Sequence, residues 1–557
     1  MTGPGDGSGD DLFDFDADVL VVGTGGSGFA AAITAAAEGR SVIVFECNDH
    51  IGGTTGASGG TAWIPNNASL RAQGKEDPRD FALKYMCRLA YPQYYLADHP
   101  TLGLPADAYE LIATFYDRGS EAIDHLSAID VFDLMADTRA PDVDNPMEMP
   151  SGNLLAGFPD YGAELDEEKL PTGRHLFPRP GTPGMVDQLE AGAAAHGVQV
   201  VLSHQVRGVI RNDDGEVVGL ELQYGHTARL ARARRAVVFA SGGYAHNEEL
   251  VRRYLPGRVY GTCATLGARG DFVRIGIEAG AQLGNMKNAW WKQVPLEAAL
   301  RSPTPPSVWL PWGDAMIHVN RYGRRVVDEK MPYHDRSQAH QIYDPTRREY
   351  PNLVLFMIYD DTVATSESRA GMRQPLPAPG EPVPDWIITG DTWDDLIARI
   401  DAKLADNAEE IAGLRLDPSF RENLAATIER FNGFAATGVD EDFGRGRAPI
   451  GRAWNGPNRD GSPNPTMAPF APEGPYHCVI ICAGVLDTNG GPVINTRAQV
   501  VDHSGDPIPG LYGAGNCVAS PAGQAYWGPG ATIGLGITYG YLAGRNAAAE
   551  PEKAFTF

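Results

Sequence analysis

No stretch of about 20 consecutive apolar residues occurs in the 557-residue chain, so the sequence offers no candidate membrane-spanning helix. Residues Met1–Asp11, rich in glycine and aspartate, lack the basic start and apolar core of a secretory signal and are expected to form a disordered tail. Cysteine is scarce. The six present, Cys47, Cys87, Cys263, Cys478, Cys482 and Cys517, show no Cys-x-x-Cys-His haem site and no zinc-ribbon spacing. They read as buried small hydrophobes in a reducing compartment, which points to the cytoplasm. Positive charge is also short, with 46 Lys and Arg against 71 Asp and Glu and a net charge of −25. Such a surface repels nucleic acid phosphates and anionic lipids, so neither is an expected partner, and a small neutral ligand is. No His-Glu-x-x-His spacing appears, and His334, Asp335 and His340 read as a loop rather than a ligand set, so no metal is expected.

What is present begins at Asp18. The run Asp-Val-Leu-Val-Val-Gly23-Thr-Gly25-Gly26-Ser-Gly28 is followed by an alanine-rich helix over Phe29–Ala37 and a strand, Ser-Val-Ile-Val-Phe, ending at Glu46. This is a dinucleotide-binding βαβ unit. Gly23 permits the tight turn, Gly25 lets backbone approach a pyrophosphate at the helix N-terminus, and Gly28 allows the helix to pack on the strand. Glu46 is placed to reach ribose hydroxyls.

After Glu46 comes a glycine and hydroxyl loop, Ile51-Gly52-Gly53-Thr54-Thr55-Gly-Ala-Ser58-Gly59-Gly60-Thr-Ala-Trp63. Here the chain resembles the flavoproteins of the fumarate reductase and succinate dehydrogenase superfamily, in which such a loop runs beside FAD. The resemblance recurs at Ala240-Ser241-Gly242-Gly243-Tyr244 and at Pro509-Gly-Leu-Tyr-Gly513-Ala514-Gly515-Asn516, in the superfamily's order. It implies FAD contacts from Gly53, Thr54, Thr55, Ser58, Gly59, Gly60, Ser241, Gly242, Gly515 and Asn516, and an adenine contact from the backbone near Val206. It also implies non-covalent FAD, because Gly53–Gly60 lacks the histidine to which the succinate dehydrogenase relatives attach their flavin.

The implied fold class is α/β: a Rossmann-like FAD-binding domain with an inserted α+β catalytic, capping domain. Proline-rich and tryptophan-rich segments, with amphipathic helices over Thr392–Leu404 and Phe420–Thr437, set the insertion at 291–470. The FAD-binding domain then occupies 12–290 and 471–557. It includes a helix Gly184–His196, strands Val198–Ser203 and Gln205–Arg211, and a strand Arg235–Phe239.

Near the end stands Tyr526-Trp-Gly528-Pro-Gly530-Ala-Thr532-Ile533-Gly534, an aromatic hydroxyl and a glycine turn just before a helix N-terminus. Free N–H groups there suit a developing negative charge. The arrangement resembles the 3-ketosteroid Δ1-dehydrogenases, as does Gly323-Arg-Arg-Val-Val-Asp328-Glu329-Lys-Met-Pro332-Tyr333. That resemblance implies a dehydrogenase placing a C1–C2 double bond beside the ketone of a 3-ketosteroid or similar fused-ring ketone. Electrons would pass to an external acceptor. Thr532 and Ile533 would face the flavin pyrimidine, Tyr333 would take the α-proton, and Tyr526 with the Gly530 N–H would hold the enolate oxygen.

A tyrosine of ordinary pKa, about 10, is a poor base at neutral pH and needs help. The family supplies a second tyrosine, matched here by Tyr161, with Tyr94 or Tyr95 competing. Trp309 and Trp312 divide between packing and substrate lining. The same motifs also accommodate a Δ4-(5α)-dehydrogenase or an enone reductase working in reverse, and Gly528, in place of a serine, tilts towards Δ1. A fumarate reductase is disfavoured by Tyr333, in place of an arginine, and by Asp487, in place of a histidine. The remaining class is a serine hydrolase, because Gly56-Ala-Ser58-Gly-Gly60 satisfies Gly-x-Ser-x-Gly, although no strand is expected before Ser58.

Overall fold

Val19, Leu20 and Val21 are buried without alternation, as expected of a strand covered on both faces of a parallel sheet. In the computed structural model, which describes residues 12–136, 173–309, 311, 313–366, 375–448, 451 and 462–555, they lie in strand Phe15–Val22. That strand runs parallel to Val42–Phe45 on one side and to Thr227–Phe239 on the other, with Leu20 opposite Ile43 and Val237. Pro507–Gly513 and Gln199–Val201 extend the parallel core outward, and Gln499–Val501, antiparallel to Pro507–Gly513, with the hairpin Gln205–Arg211 and Val217–Tyr224 completes an eight-stranded sheet. The expected strand at Arg235 begins earlier, at Thr227, where it pairs antiparallel with Val217–Tyr224.

Helix Gly26–Ala37 lies against this sheet, and its small residues serve a second contact. On the last helix, Ala531–Ala549, the residues Gly536, Gly540 and Gly544 recur every four positions and so share one face. A β-carbon at Gly540 would stand 2.3 Å from the Ser27 carbonyl oxygen, and one at Gly544 2.2 Å from that of Ala31. The two helices therefore meet backbone to backbone. This contact fixes where the N-terminus of the last helix points.

The second main sheet is antiparallel, five-stranded, and carries Ala289–Pro295, Tyr476–Thr488, Val354–Asp360, Met316–Val319 and Ile387–Gly390. Helices Trp393–Asp406 and Phe420–Thr437 cover it, burying Leu396, Ile400 and Leu404 at a spacing of four. The strands nearest the expected insertion boundaries, Ala289–Pro295 and Tyr476–Thr488, pair with each other inside this sheet. Among the described residues no helix is long and apolar enough to cross a membrane. Tyr161, Trp312 and the expected tail Met1–Asp11 lie outside the described residues.

Candidate active site

A single cavity of about 790 Å³ runs from the first glycine turn to the N-terminus of the last helix. Of the expected cofactor residues, Gly23, Gly25, Gly26, Glu46, Gly53, Thr54, Thr55, Ser58, Gly59, Val206, Ser241, Gly242, Gly515, Asn516, Thr532 and Ile533 all line it. Gly28 and Gly60 do not. Gly28 sits behind the turn, where a β-carbon would fall 1.9 Å from the Gly23 carbonyl oxygen, so its role is helix packing. Gly60 donates its N–H to Ser58 Oγ at 3.1 Å and shapes the loop.

At the dinucleotide end the glycine turns present backbone to the cavity, with Glu46 beside them. Gly23 has φ +100°, and a β-carbon there would meet the Ala240 carbonyl at 2.5 Å, so only glycine fits the turn. At Gly25, Gly59 and Gly242 the space a β-carbon would take is open to at least 3.7 Å. These openings let a pyrophosphate approach main-chain N–H groups, the donor set that a long dinucleotide such as FAD requires. Glu46 is buried at the end of its strand. Its Oε2 accepts the Thr24 N–H and hydroxyl at 3.1 and 2.7 Å, and its Oε1 accepts the Asn48 N–H at 3.0 Å. The carboxylate is thereby held facing the cavity.

Ser58 follows one helical turn, Gly53–Gly56, and not a strand, and its hydroxyl donates to the Thr55 carbonyl at 2.6 Å. This is not a nucleophile elbow.

At the other end the wall is side chain. The Tyr333 hydroxyl donates to the Tyr526 hydroxyl at 3.0 Å, and the Gly530 N–H donates to the same oxygen at 3.3 Å. With two donors on its oxygen, Tyr526 keeps its own proton for a third group. Burial pushes the Tyr526 phenol up to about 12, against the opposing effect of the Tyr333 and Gly530 hydrogen bonds, so it stays neutral across ordinary pH. Gly530 has φ +88° and caps the last helix, where a β-carbon would clash with the Thr61 carbonyl at 2.4 Å. Trp309 lines the cavity and meets the Tyr333 ring edge-on, centroids 5.0 Å apart.

The loop carrying Tyr526 is fastened from behind. The Tyr85 hydroxyl donates to the Trp527 carbonyl, and Trp527 Nε1 donates to the Met86 carbonyl at 3.1 Å. Trp63, Tyr85, Phe115 and Trp527 pack together under it, with the buried pair Arg174–Asp77 at 2.6 Å beside them. Gly528 belongs to this packing, because a β-carbon there would come 2.8 Å from Trp63. The absence of a serine at that position therefore has a steric cause and does not separate Δ1 from Δ4 chemistry.

Three further residues hold the site together. His334 is fully buried, and its Nδ1 accepts the Trp291 N–H at 3.1 Å, which makes Nε2 the donor to the Gln524 carbonyl at 2.9 Å. It bridges the strand Ala289–Pro295 to the Tyr526 loop. Asp487 lines the cavity, and its Oδ2 accepts the Gly243 N–H at 2.9 Å and Asn516 Nδ2 at 3.1 Å, tying the two glycine motifs together. Trp290 Nε1 donates to Asn516 Oδ1 at 3.0 Å. Of these, only Asp487 and the tryptophan-rich run left a signal in the sequence. Among the described residues no group of three or more His, Cys, Asp or Glu is placed to hold a metal ion.

A family model described as "FAD binding domain" matches residues 18–533. The chain is 31% identical to a 4-oxocyclohexanecarboxylate 2-dehydrogenase of Sinomonas cyclohexanicum, over 96% of this chain and 93% of that one. It is 30% identical to a 3-oxosteroid 1-dehydrogenase of Mycolicibacterium smegmatis, over 96% and 97%. The crystal structure of a 3-ketosteroid Δ1-dehydrogenase from Sterolibacterium denitrificans, in complex with 1,4-androstadiene-3,17-dione, superposes with a TM-score of 0.76 at 22% identity. That superposition covers 96% of this chain and 99% of that one, and it shows the fold.

Proposed function

The chain belongs to the FAD-binding family of flavoproteins, close to the 3-ketosteroid Δ1-dehydrogenases, and we propose that it dehydrogenates a carbon pair beside the ketone of a steroid-like ring substrate. FAD is its cofactor, bound without covalent linkage. When bound, FAD supplies the hydride acceptor. The observation that carries the reading is the tyrosine pair: Tyr333 and Tyr526 share a 3.0 Å hydrogen bond on the cavity wall, beside the Gly530 N–H at the start of the last helix.

The ketone oxygen takes the Tyr526 proton, and the Gly530 N–H turns to it from the Tyr526 oxygen, its acceptor at 3.3 Å. Both donors then face the negative charge that grows on that oxygen as the α-proton leaves, aided by the positive end of the helix. Tyr333 receives the α-proton as its own proton passes along the hydrogen bond to Tyr526, which has given its proton to the ketone oxygen, so each phenol gains one proton as it loses one and no free tyrosinate is required. Tyr161 remains the proposed third tyrosine. The electron acceptor is external, and the proposed compartment is the cytoplasm. We retain 291–470 as the catalytic domain, with Ala289–Pro295 and Tyr476–Thr488 completing its sheet from either side.

The test is anaerobic mixing of the yellow holoenzyme with androst-4-ene-3,17-dione and with 4-oxocyclohexanecarboxylate, following oxidised flavin absorbance. Bleaching by either ketone is expected. The Tyr333→Phe variant should keep its flavin and bleach about 10²–10⁴-fold more slowly. A variant as fast as the wild type would remove Tyr333 from the proton step, and bleaching by neither ketone would move the substrate outside this class.

A further inference from the structure

Lys292 stands in the middle of Ala289–Pro295, a strand buried along its whole length, and is itself 0% exposed. It lies opposite Gly484 on the neighbouring strand, and the missing side chain there makes its lane: a β-carbon at Gly484 would come within 3.4 Å of Lys292 Cε. At the end of that lane Nζ donates to Ser307 Oγ at 2.9 Å, lies beside the Cys263 thiol, and stands 5.9 Å from the centre of the Trp309 ring. Every one of these partners is neutral. Three buried arginines are neutralised by carboxylates, Arg174 by Asp77 at 2.6 Å, Arg325 by Glu329 and Asp440 at 2.8 and 2.9 Å, and Arg445 by Glu329 at 3.1 Å, whereas the buried Lys330, away from the cavity, donates to the Pro311 carbonyl at 2.6 Å. No carboxylate of the described residues pairs with Lys292.

A buried ammonium without a counter-charge is costly and calls for an anion. Two of the three groups around Nζ, Cys263 and Trp309, form the cavity wall, and Trp309 in turn packs on Tyr333. The ammonium therefore sits one side chain behind the substrate end of the cavity. No lysine or arginine lines that cavity among the described residues, whose charged lining is acidic: Glu46, Asp271 and Asp487.

We propose that Lys292 is a specificity residue, and that the ketone oxidised here carries a carboxylate whose charge it balances at the Cys263–Trp309 wall. This rests on the dehydrogenase reading and narrows its substrate class. With the ketone oxygen on Tyr526 and Gly530, the acid on the same ring system reaches the wall on the far side of Tyr333, and the Cys263 thiol turns aside to admit it. A neutral steroid ketone has nothing to offer that wall. The similarity to an enzyme named for 4-oxocyclohexanecarboxylate agrees with this assignment.

The holoenzyme is assayed anaerobically with 4-oxocyclohexanecarboxylate and with its methyl ester, alongside Lys292→Met and Lys292→Gln, keeping only variants with full flavin content. The wild type is expected to prefer the acid by tenfold or more in kcat/KM, about the worth of one charge-assisted contact. In the variants that preference should collapse through a raised KM for the acid. A wild type that oxidises the ester or androst-4-ene-3,17-dione as well as the acid overturns the proposal, as does a variant that keeps the preference. If no ketone bleaches the flavin, the dehydrogenase reading fails, and binding decides about Lys292 separately. Cyclohexanecarboxylate should then perturb the flavin spectrum of the wild type and not of Lys292→Met; equal perturbation, or none in either, overturns the assignment.

Discussion

At the dinucleotide end of the cavity the glycine turns present main chain, open at Gly25, Gly59 and Gly242; at the substrate end the wall is made of the side chains of Tyr333, Tyr526, Trp309 and Cys263. Backbone N–H groups have fixed positions once the fold forms, so the first end is specified by where side chains are missing. The second end needs side chains delivered from different segments to within 3.0 Å of each other, as Tyr333 and Tyr526 are. A glycine lost at the first end should therefore cost the cofactor. A hydroxyl lost at the second should cost the chemistry and leave the cofactor in place.

The sharpest break of that contrast is Gly28→Ala. The new methyl would stand 1.9 Å from the Gly23 carbonyl oxygen, a backbone atom that cannot rotate away, so the turn itself must shift. Purified Gly28→Ala is expected to lose most of its flavin, and an absorbance ratio equal to wild type would show that the turn tolerates the displacement. Next in size is Tyr526→Phe, which removes the proton offered to the ketone oxygen and leaves Gly530 as the remaining donor. A fall in kcat of about 10²–10³-fold with full flavin is expected. A matching loss of flavin would mean that the two ends are not independent.

The same contrast explains what was legible in the sequence. The first end is written in contiguous runs, Gly23–Gly28, Gly53–Gly60, Ser241–Gly242 and Gly515–Asn516, because a glycine turn is a local structure. The hairpin strand Gln205–Arg211 and the helix Phe420–Thr437 could be read for the same reason and fall where expected. The second end was legible only through its resemblance to a known family. Cys263, Lys292 and His334 have no local pattern, because tertiary contacts bring them to the site: Lys292 through pairing of Ala289–Pro295 with Tyr476–Thr488, Cys263 through its N–H on the Val485 carbonyl, and His334 through the Trp291 N–H. Strand Tyr476–Thr488 is apolar from Cys478 to Leu486 and would suit either sheet, so its place at the centre of the second one could not be read from periodicity. Gly528 misled for a further reason, since a missing side chain looks alike whether chemistry or packing excludes it.

A smaller effect is expected where the two parts are joined. His334 spans from the Trp291 N–H to the Gln524 carbonyl, and burial pulls its imidazole down to about 4, so it serves as a neutral strut. His334→Phe leaves both buried backbone groups unpaired, at about 1–3 kcal/mol each. Lower thermal stability and a several-fold fall in kcat are expected, with flavin content retained. Unchanged kcat would show that the Tyr526 loop is held sufficiently by Tyr85 and Met86.

The finest test concerns Asp487, which ties Gly243 of one glycine motif to Asn516 of the other. Burial raises its carboxyl to about 6 from an ordinary value of 3.8, in spite of the N–H groups that favour the anion. The folded chain then holds this proton more tightly than the unfolded chain. The resulting stability is fully present below the unfolded value and is lost as pH rises through about 6. Asp487→Asn resembles the protonated acid and does not titrate. The difference in unfolding free energy between variant and wild type should therefore move in the variant's favour by roughly 1–3 kcal/mol between about pH 4 and pH 7. A difference that stays flat would mean that Gly243, Thr488 and Asn516 hold Asp487 as an anion throughout, and that a fixed negative charge, not a titrating one, joins the two glycine motifs.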